Sequence, residues 1–204
     1  ASLRTECGQA KLSRANPAVM AARRRPGTAV PRTRRPARPA SAQPIYNHRM
    51  RIAVGADHAG FELKESVKRL LDSLGIEYED FGTTSAEPVD YPDVARQVAR
   101  AVAEGRFERG VLVCGTGTGM AMAANKVRGI RAAPVTTAEL ARLSRAHNDA
   151  NILAMGGRIT APEQAAEIVR SFLETPFDAG RHERRVAKIA GLEDAANTPN
   201  TTEP

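Results

Sequence analysis

Short apolar runs alternate with longer segments of helical periodicity through most of the chain. The runs cover residues 51–55, 76–80, 110–114, 130–135 and 151–155. Most of them are almost continuously apolar, which predicts strands that are buried on both faces. Helical spacing of apolar residues predicts helices at 60–74, 93–104, 119–127, 137–147, 162–173 and 184–190.

This alternation predicts an α/β fold in which a five-stranded parallel sheet carries helices on both faces. In open sheets of this kind, ligands bind at the carboxyl ends of the strands. Candidate functional residues are therefore sought directly after each strand.

The charge is unevenly distributed between the amino-terminal segment and the rest of the chain. The whole chain has 30 Lys and Arg against 23 Asp and Glu, a formal net charge of +7. Residues 1–49 alone carry +10, so residues 50–204 carry −3. The basic excess thus belongs to one end, and nucleic-acid binding by the main domain is not expected.

Residues 1–49 hold six of the 13 prolines and few large apolar residues, which predicts a disordered Arg/Pro-rich extension. Three explanations compete: an organelle transit peptide, an arm that binds nucleic acid or a membrane surface, and upstream sequence attached to a domain that starts at Met50. We favour the third because the segment lacks a hydrophobic targeting core and an amphipathic face. Residues 193–204 are predicted to be a disordered tail, which leaves 50–192 as the domain.

Composition excludes several protein classes. No apolar run approaches the ~20 residues that a transmembrane helix needs. Cys7 and Cys114 are the only cysteines, so no disulfide framework is expected and a reducing cytoplasm fits. The chain has no Trp, three Tyr and five Phe, too few for the aromatic platforms that single-strand nucleic-acid binders use.

Asp57 and His58 follow the first predicted strand and offer a carboxylate and an imidazole to a ligand. Taken alone, Asp57 is better explained as a helix N-cap. The third strand ends at Cys114 and is followed by alternating glycines, a backbone suited to binding an anion. A thiol beside a helix N-terminus is stabilised as the thiolate, although an isolated Cys in an apolar strand is more often a small core residue.

His147 and Asn148 end the fourth predicted helix, where either residue is also common for capping reasons. Arg158 follows the fifth strand, and Arg181 and Arg185 lie one helical turn apart, either as a phosphate clamp or as a solvated face. We expect all of these residues to meet at the ligand end of one sheet, which capping and solvation alone would not explain.

These residues resemble the ribose-5-phosphate isomerase B family and its allose-6-phosphate and galactose-6-phosphate isomerase relatives. The similarity covers about residues 50–192. The matching strings, in the order in which the family has them, are 53–64, 90–92, 114–117, 123–126, 144–148, 156–158 and 180–182.

The resemblance implies a Rossmann-like three-layer α/β/α sandwich and a homodimer with active sites at the subunit interface. Further pairing into a tetramer is left open. It also implies interconversion of aldose and ketose phosphates without a metal or other cofactor. The predicted reaction interconverts ribose 5-phosphate and ribulose 5-phosphate. The alternatives are isomerisation of a six-carbon phosphosugar such as allose 6-phosphate, and binding of a phosphosugar or nucleotide without turnover.

The resemblance also assigns roles to single residues. Cys114 is the base that moves the proton between C2 and C1 through a cis-enediolate, and Thr116 helps to transfer protons at the substrate oxygens. His147, with Asp57 nearby, opens the sugar ring. The remaining roles fall to substrate-binding residues: the loop residues Gly115, Gly117, Thr118 and Gly119, Asn148 at the enediolate oxygens, Tyr91 in the sugar pocket, and His58, Arg158, Arg181 and Arg185 at the phosphate.

A second branch of the family uses a glutamate as the base, at the position that Met120 occupies here. Because a methionine cannot accept a proton, the chain resembles the cysteine branch.

Overall fold

A computed structural model describes residues 50–195 of the chain. Its sheet has five parallel strands in the order β2-β1-β3-β5-β4. The strands are β1 (Arg51–Ala56), β2 (Glu77–Asp80), β3 (Arg109–Cys114), β4 (Ala132–Pro134) and β5 (Ile152–Gly156). The predicted fold class, a three-layer α/β/α sandwich around a five-stranded parallel sheet, is confirmed.

Residues 50–195 also form six helices, and a short 3₁₀ turn at Gly180–His182 precedes the last of them. The helices are α1 (Phe61–Leu74), α2 (Tyr91–Ala103), α3 (Thr118–Ala124), α4 (Ala138–Asn148), α5 (Pro162–Glu174) and α6 (Glu183–Ala195). Local sequence explains several ends: Pro stands in the first turn of α2 and α5, Thr137 caps α4, and Gly75 ends α1 in the left-handed conformation.

The core has two parts, one on each face of the sheet. On one face, α1 and α5 pack against the strands around Leu71, Met155 and Phe172. On the other face, α2 and α3 pack around Val98 and Met120. The near-continuous apolar strands thus supply side chains to both faces, as their sequence predicts.

The direction of α4 matters for the site. Because β4 and β5 are parallel, the helix between them runs back along the sheet, from the carboxyl ends of the strands to their amino ends. We call these two sides the carboxyl end and the amino end of the sheet. β1, β3 and β5 finish at the carboxyl end, whereas α4 finishes at the amino end.

Helix α6 continues through Ala195, three residues past the boundary predicted at 192. The carboxylate of Glu193 there accepts hydrogen bonds from the Gly129 amide, which ties this last turn to the domain. The extension predicted at 1–49 and the tail residues 196–204 lie outside the described residues. Among residues 50–195, no helix is both long enough and apolar enough to cross a bilayer.

Candidate active site

The turns that follow β1, β3 and β5 lie side by side at the carboxyl end of the sheet. Ala56 pairs with Val113, and Cys114 pairs with Gly156, so these strands finish at nearly the same level. The sheet therefore brings together three turns that sequence analysis singled out. They hold Asp57, His58, Cys114, Gly115, Thr116, Gly117, Thr118, Gly119 and Arg158.

Cys114 is 5% exposed, and the backbone N–H of Gly117 donates a hydrogen bond to its sulfur over 3.2 Å. Gly117 has a φ of +81°, and a Cβ there would lie 2.9 Å from the carbonyl carbon of Met155. Only glycine fits this position without strain. The turn thus aims a backbone N–H donor directly at the sulfur.

Arg158 lies against the loop that follows Cys114. Its backbone N–H donates to the Gly115 carbonyl at 3.1 Å, and a Cβ on Gly115 would lie 3.5 Å from the guanidinium carbon. The Arg158, Thr116 and Thr118 side chains are exposed. The loop therefore presents a cation and two hydroxyl groups to solvent, beside a buried thiol.

Tyr91 borders the same loop from α2. A Cβ on Gly119 would lie only 2.8 Å from Cε2 of Tyr91, so a larger residue there would displace the ring. The tyrosine is 40% exposed although it packs against the loop. Its ring forms one wall of the carboxyl-end cluster.

The carboxylate of Asp57 is buried, and its Oδ1 accepts a hydrogen bond from the Gly60 amide at 2.9 Å. The residue that caps α1 is Gly60, so Asp57 closes the turn before the helix. Nδ1 of His58 accepts a hydrogen bond from the Val89 amide at 3.4 Å. His58 is thereby linked to the loop that leads into Tyr91.

His147 and Asn148 do not join this cluster within one chain. They end α4, which finishes at the amino end of the sheet. The five residues of β5 separate the two ends by about 16 Å. The expectation that all candidates meet at the ligand end of one sheet is therefore wrong for a single chain, because it treated the end of a helix as the end of a strand.

A second cluster forms around His147 at the amino end. Its ring stacks on that of His182, with centroids 4.4 Å apart and planes 4° from parallel. Nε of Arg181 donates to Nε2 of His182 at 3.3 Å. Burial lowers the pKa of His182, and nearby His147, Arg181 and Arg185 lower it further, whereas Asp178 raises it.

His182 was missed as a candidate, although it stands between the two arginines that the sequence singled out. The sequence does contain a feature that could have identified it, because His182 is a histidine next to Arg181 and just before the predicted basic helix. The stacking depends on the 3₁₀ turn at Gly180–His182, which apolar periodicity does not reveal.

A cavity of about 630 Å³ adjoins this second cluster. It lies between the end of α3, the start of β4 and α6, and Asn148, Ile189 and Leu192 are among its lining residues. The two apolar side chains are exposed, Ile189 to 41% and Leu192 to 69%. The surface beside Asn148 is therefore concave and partly apolar.

Among residues 50–195, no group of three or more His, Cys, Asp or Glu side chains is arranged to hold a metal ion.

Comparison with known proteins places these clusters in context. Residues 52–189 match the family model described as Ribose/Galactose Isomerase. Ribose-5-phosphate isomerase B of Escherichia coli strain K12 is 46% identical over 147 residues, which cover 72% of this chain and 99% of that protein.

Solved structures agree with the sequence match. Ribose-5-phosphate isomerase B of Clostridium thermocellum is 48% identical with a TM-score of 0.71, covering 72% of this chain and 99% of that one. The enzyme of Mycoplasma genitalium, solved with bound ribulose 5-phosphate, is 37% identical with a TM-score of 0.69, covering 72% of this chain and 97% of that one.

Proposed function

The chain belongs to the ribose/galactose isomerase family, and we propose on that basis that it interconverts ribose 5-phosphate and ribulose 5-phosphate. One structural observation supports proton transfer by Cys114: its sulfur is buried and accepts a hydrogen bond from the Gly117 amide. A cysteine accepts a proton only as its thiolate, and a backbone N–H aimed at the sulfur is a donor to that thiolate.

In the proposed reaction, the Cys114 thiolate takes the proton from C2 of the open-chain aldose. The C–H electron pair forms the C1–C2 double bond of a cis-enediolate, and the proton then returns to C1 to give the ketose. Amides of the loop formed by residues 115–119 stabilise the oxyanion, a role worth about 3 kcal/mol per donor in other enzymes. Thr116 moves protons at the substrate oxygens, and Asn148 holds the enediolate.

Met120 supports the choice of cysteine as the base. It lies on α3 within one turn of the loop, is fully buried, and has no group that accepts a proton. A base on α3 at this position is therefore absent, and Cys114 takes its place.

The two clusters lie at opposite ends of one sheet, so a complete site needs a second copy. We propose a homodimer in which His147 and Asn148 of the partner subunit reach the Cys114 loop. The concave surface beside Asn148, with exposed Ile189 and Leu192, supports this proposal because a partner would cover it. In this arrangement His147 of the partner subunit lies near Asp57 and opens the sugar ring.

The residues that bind the phosphate are divided between the two subunits in the same way. His58 and Arg158 of one chain, with Arg181 and Arg185 of the partner subunit, hold the dianion, and Tyr91 lines the sugar pocket. Gly115, Gly117, Thr118 and Gly119 border the substrate at the loop. Since the domain is mildly acidic, these few local cations attract the phosphate. The cytoplasm remains our predicted location, on the basis of the cysteine count.

The test is a comparison of kcat/KM for ribose 5-phosphate and allose 6-phosphate, with the full chain and with Cys114→Ala. We expect a preference for ribose 5-phosphate and a loss of at least about 10³-fold in the variant, at unchanged melting temperature. Greater turnover of allose 6-phosphate would favour the six-carbon alternative. Undiminished turnover by Cys114→Ala would remove Cys114 as the base, and binding of either phosphosugar without turnover would favour a binding protein.

A further inference from the structure

We propose that His182 is a positioning residue for His147 and serves only the opening of the sugar ring. This inference rests on the proposed function, in which His147 is the ring-opening acid and base. It concerns a side chain that does not touch the Cys114 loop in its own chain, because both histidines lie at the amino end of the sheet.

The stacking geometry fixes the orientation of His147. The two rings are parallel to within 4° with centroids 4.4 Å apart, which is the geometry of a stacked pair. His182 is 7% exposed, whereas His147 is half-buried. A buried flat ring thus supports one face of the more exposed one.

The backbone around His182 is anchored to the helix that carries His147. The Asp178 amide donates to the carbonyl of Ala146, the residue directly before His147, at 3.0 Å. The His182 amide donates to the Ala179 carbonyl at 3.1 Å, and Ala179 adopts a φ of +54°, which is unfavourable for alanine. This strained turn holds the His182 ring against α4.

The charges around His182 favour its neutral form. Arg181 donates to Nε2 of His182, so that nitrogen carries a lone pair and Nδ1 carries the proton. The groups whose charges act on the ring are His147 on α4, Arg181 and Arg185 from the turn and α6, and the acid Asp178. A neutral partner can stay stacked on His147 whether or not His147 carries an extra proton.

Ring opening is chemically separate from proton transfer at carbon. In the cyclic aldose, the bond from C1 to the ring oxygen breaks while a proton is added to that oxygen and another leaves the C1 hydroxyl. In ribulose 5-phosphate the C5 oxygen carries the phosphate, so it cannot close a five-membered ring on C2. The ketose therefore enters the site as an open chain, and Cys114 removes its C1 proton without help from His147.

This difference gives a test with two readouts on the full-length protein. One is kcat for conversion of ribose 5-phosphate, and the other is exchange of the C1 hydrogen of ribulose 5-phosphate with deuterated water. We compare His182→Phe, which keeps a flat ring, with His182→Leu, which fills the space without one, and with His182→Ala.

We expect His182→Leu and His182→Ala to lower kcat for ribose 5-phosphate about tenfold, and His182→Phe to stay within about threefold of the unmodified protein. C1 exchange should stay within about twofold in all three variants. Unchanged kcat in His182→Ala, an equal loss in His182→Phe and His182→Leu, or a parallel loss of exchange would each overturn the proposal. If the unmodified protein shows neither isomerisation nor exchange, the proposed function itself fails.

Discussion

The ammonium group of Lys64 lies 2.6 Å from Oδ2 of Asp80, and none of the lysine side chain is exposed. The same ammonium donates to the Thr83 carbonyl, so it ties α1 to the loop after β2. That loop pairs with Ala56 through the Gly82 carbonyl and the Thr83 amide. The ion pair therefore supports the backbone that leads into Asp57.

Replacing Lys64 by methionine should destabilise the domain by about 3 kcal/mol. Methionine fills the space, but Asp80 loses its most buried cation, and breaking a buried pair leaves an uncompensated charge. Urea denaturation measures the loss. Lys68→Met is the matched control, because Lys68 also contacts Asp80 but its side chain is 22% exposed, and we expect a loss of at most about 1 kcal/mol. Equal losses in both variants would contradict this account.

Asp80 should make stability depend on pH in the acid range. Burial alone would raise the pKa of Asp80, but hydrogen bonds from Lys64, Lys68 and the Gly82 amide outweigh it and hold the pKa below its usual value. A lowered pKa contributes stability above the unfolded value, about 3.9, and that contribution disappears as the pH falls through the folded value. Asp80→Asn should therefore be less stable than the unmodified protein near neutral pH. The difference between their free energies of unfolding should shrink as the pH falls towards ~3. If urea denaturation gave the same difference in free energy of unfolding across this pH range, a lowered pKa of Asp80 in the folded protein would be contradicted.

Alanine substitutions at Gly117 and Gly129 distinguish the cost of backbone strain from the cost of a steric clash. Both have a φ of +81°, but a Cβ on Gly117 meets the Met155 backbone at 2.9 Å, whereas a Cβ on Gly129 meets nothing within 4 Å. Gly129→Ala should cost about 1 kcal/mol and leave kcat/KM unchanged. Gly117→Ala should cost about 2 kcal/mol or more and lower kcat/KM at least tenfold, because the amide moves away from the Cys114 sulfur. Chemical denaturation and an isomerase assay decide this, and equal activity of the two variants would count against the Gly117 role.

Mixing two inactive variants should restore activity if the site is shared between subunits. Cys114→Ala keeps a working His147, and His147→Ala keeps a working Cys114. In a randomly reassorted mixture, half of the dimers carry one intact site of two, so about a quarter of the original activity should return. The mixture must be unfolded and refolded together, with each variant alone as the control. No recovery, despite dimers seen by sedimentation, would mean that each chain supplies its whole site.

Apolar spacing predicts the strands and helices of this chain well, because five buried parallel strands and amphipathic helices leave strong periodic signals. Lys64 could also be found in this way, since it falls on the apolar stripe of α1, between Leu63 and Val67. A lysine on such a stripe indicates a buried cation that needs a partner. The partner Asp80 could not be read from the sequence, because it depends on the pairing of β1 with β2.

The position of His147 could not be predicted from spacing, although its residue type could be singled out. Which end of the sheet it reaches depends on the direction of α4, and a helix between two parallel strands always returns to their amino ends. Recognising that rule would have separated the two clusters from sequence alone. The stacking of His147 on His182 could not be predicted by such a rule, because it depends on the strained turn at Ala179.

The two outermost strands also restrict how copies of this chain can associate. β2 has the sequence Glu-Tyr-Glu-Asp, and β4 has three residues and ends in Pro134. Carboxylates repel a second acidic strand, and a short strand ending in proline offers few amides for pairing. Continuous growth of the described sheet from one molecule to the next is thus disfavoured at both edges. Association of residues 50–195 therefore falls to the surfaces formed by helices and turns.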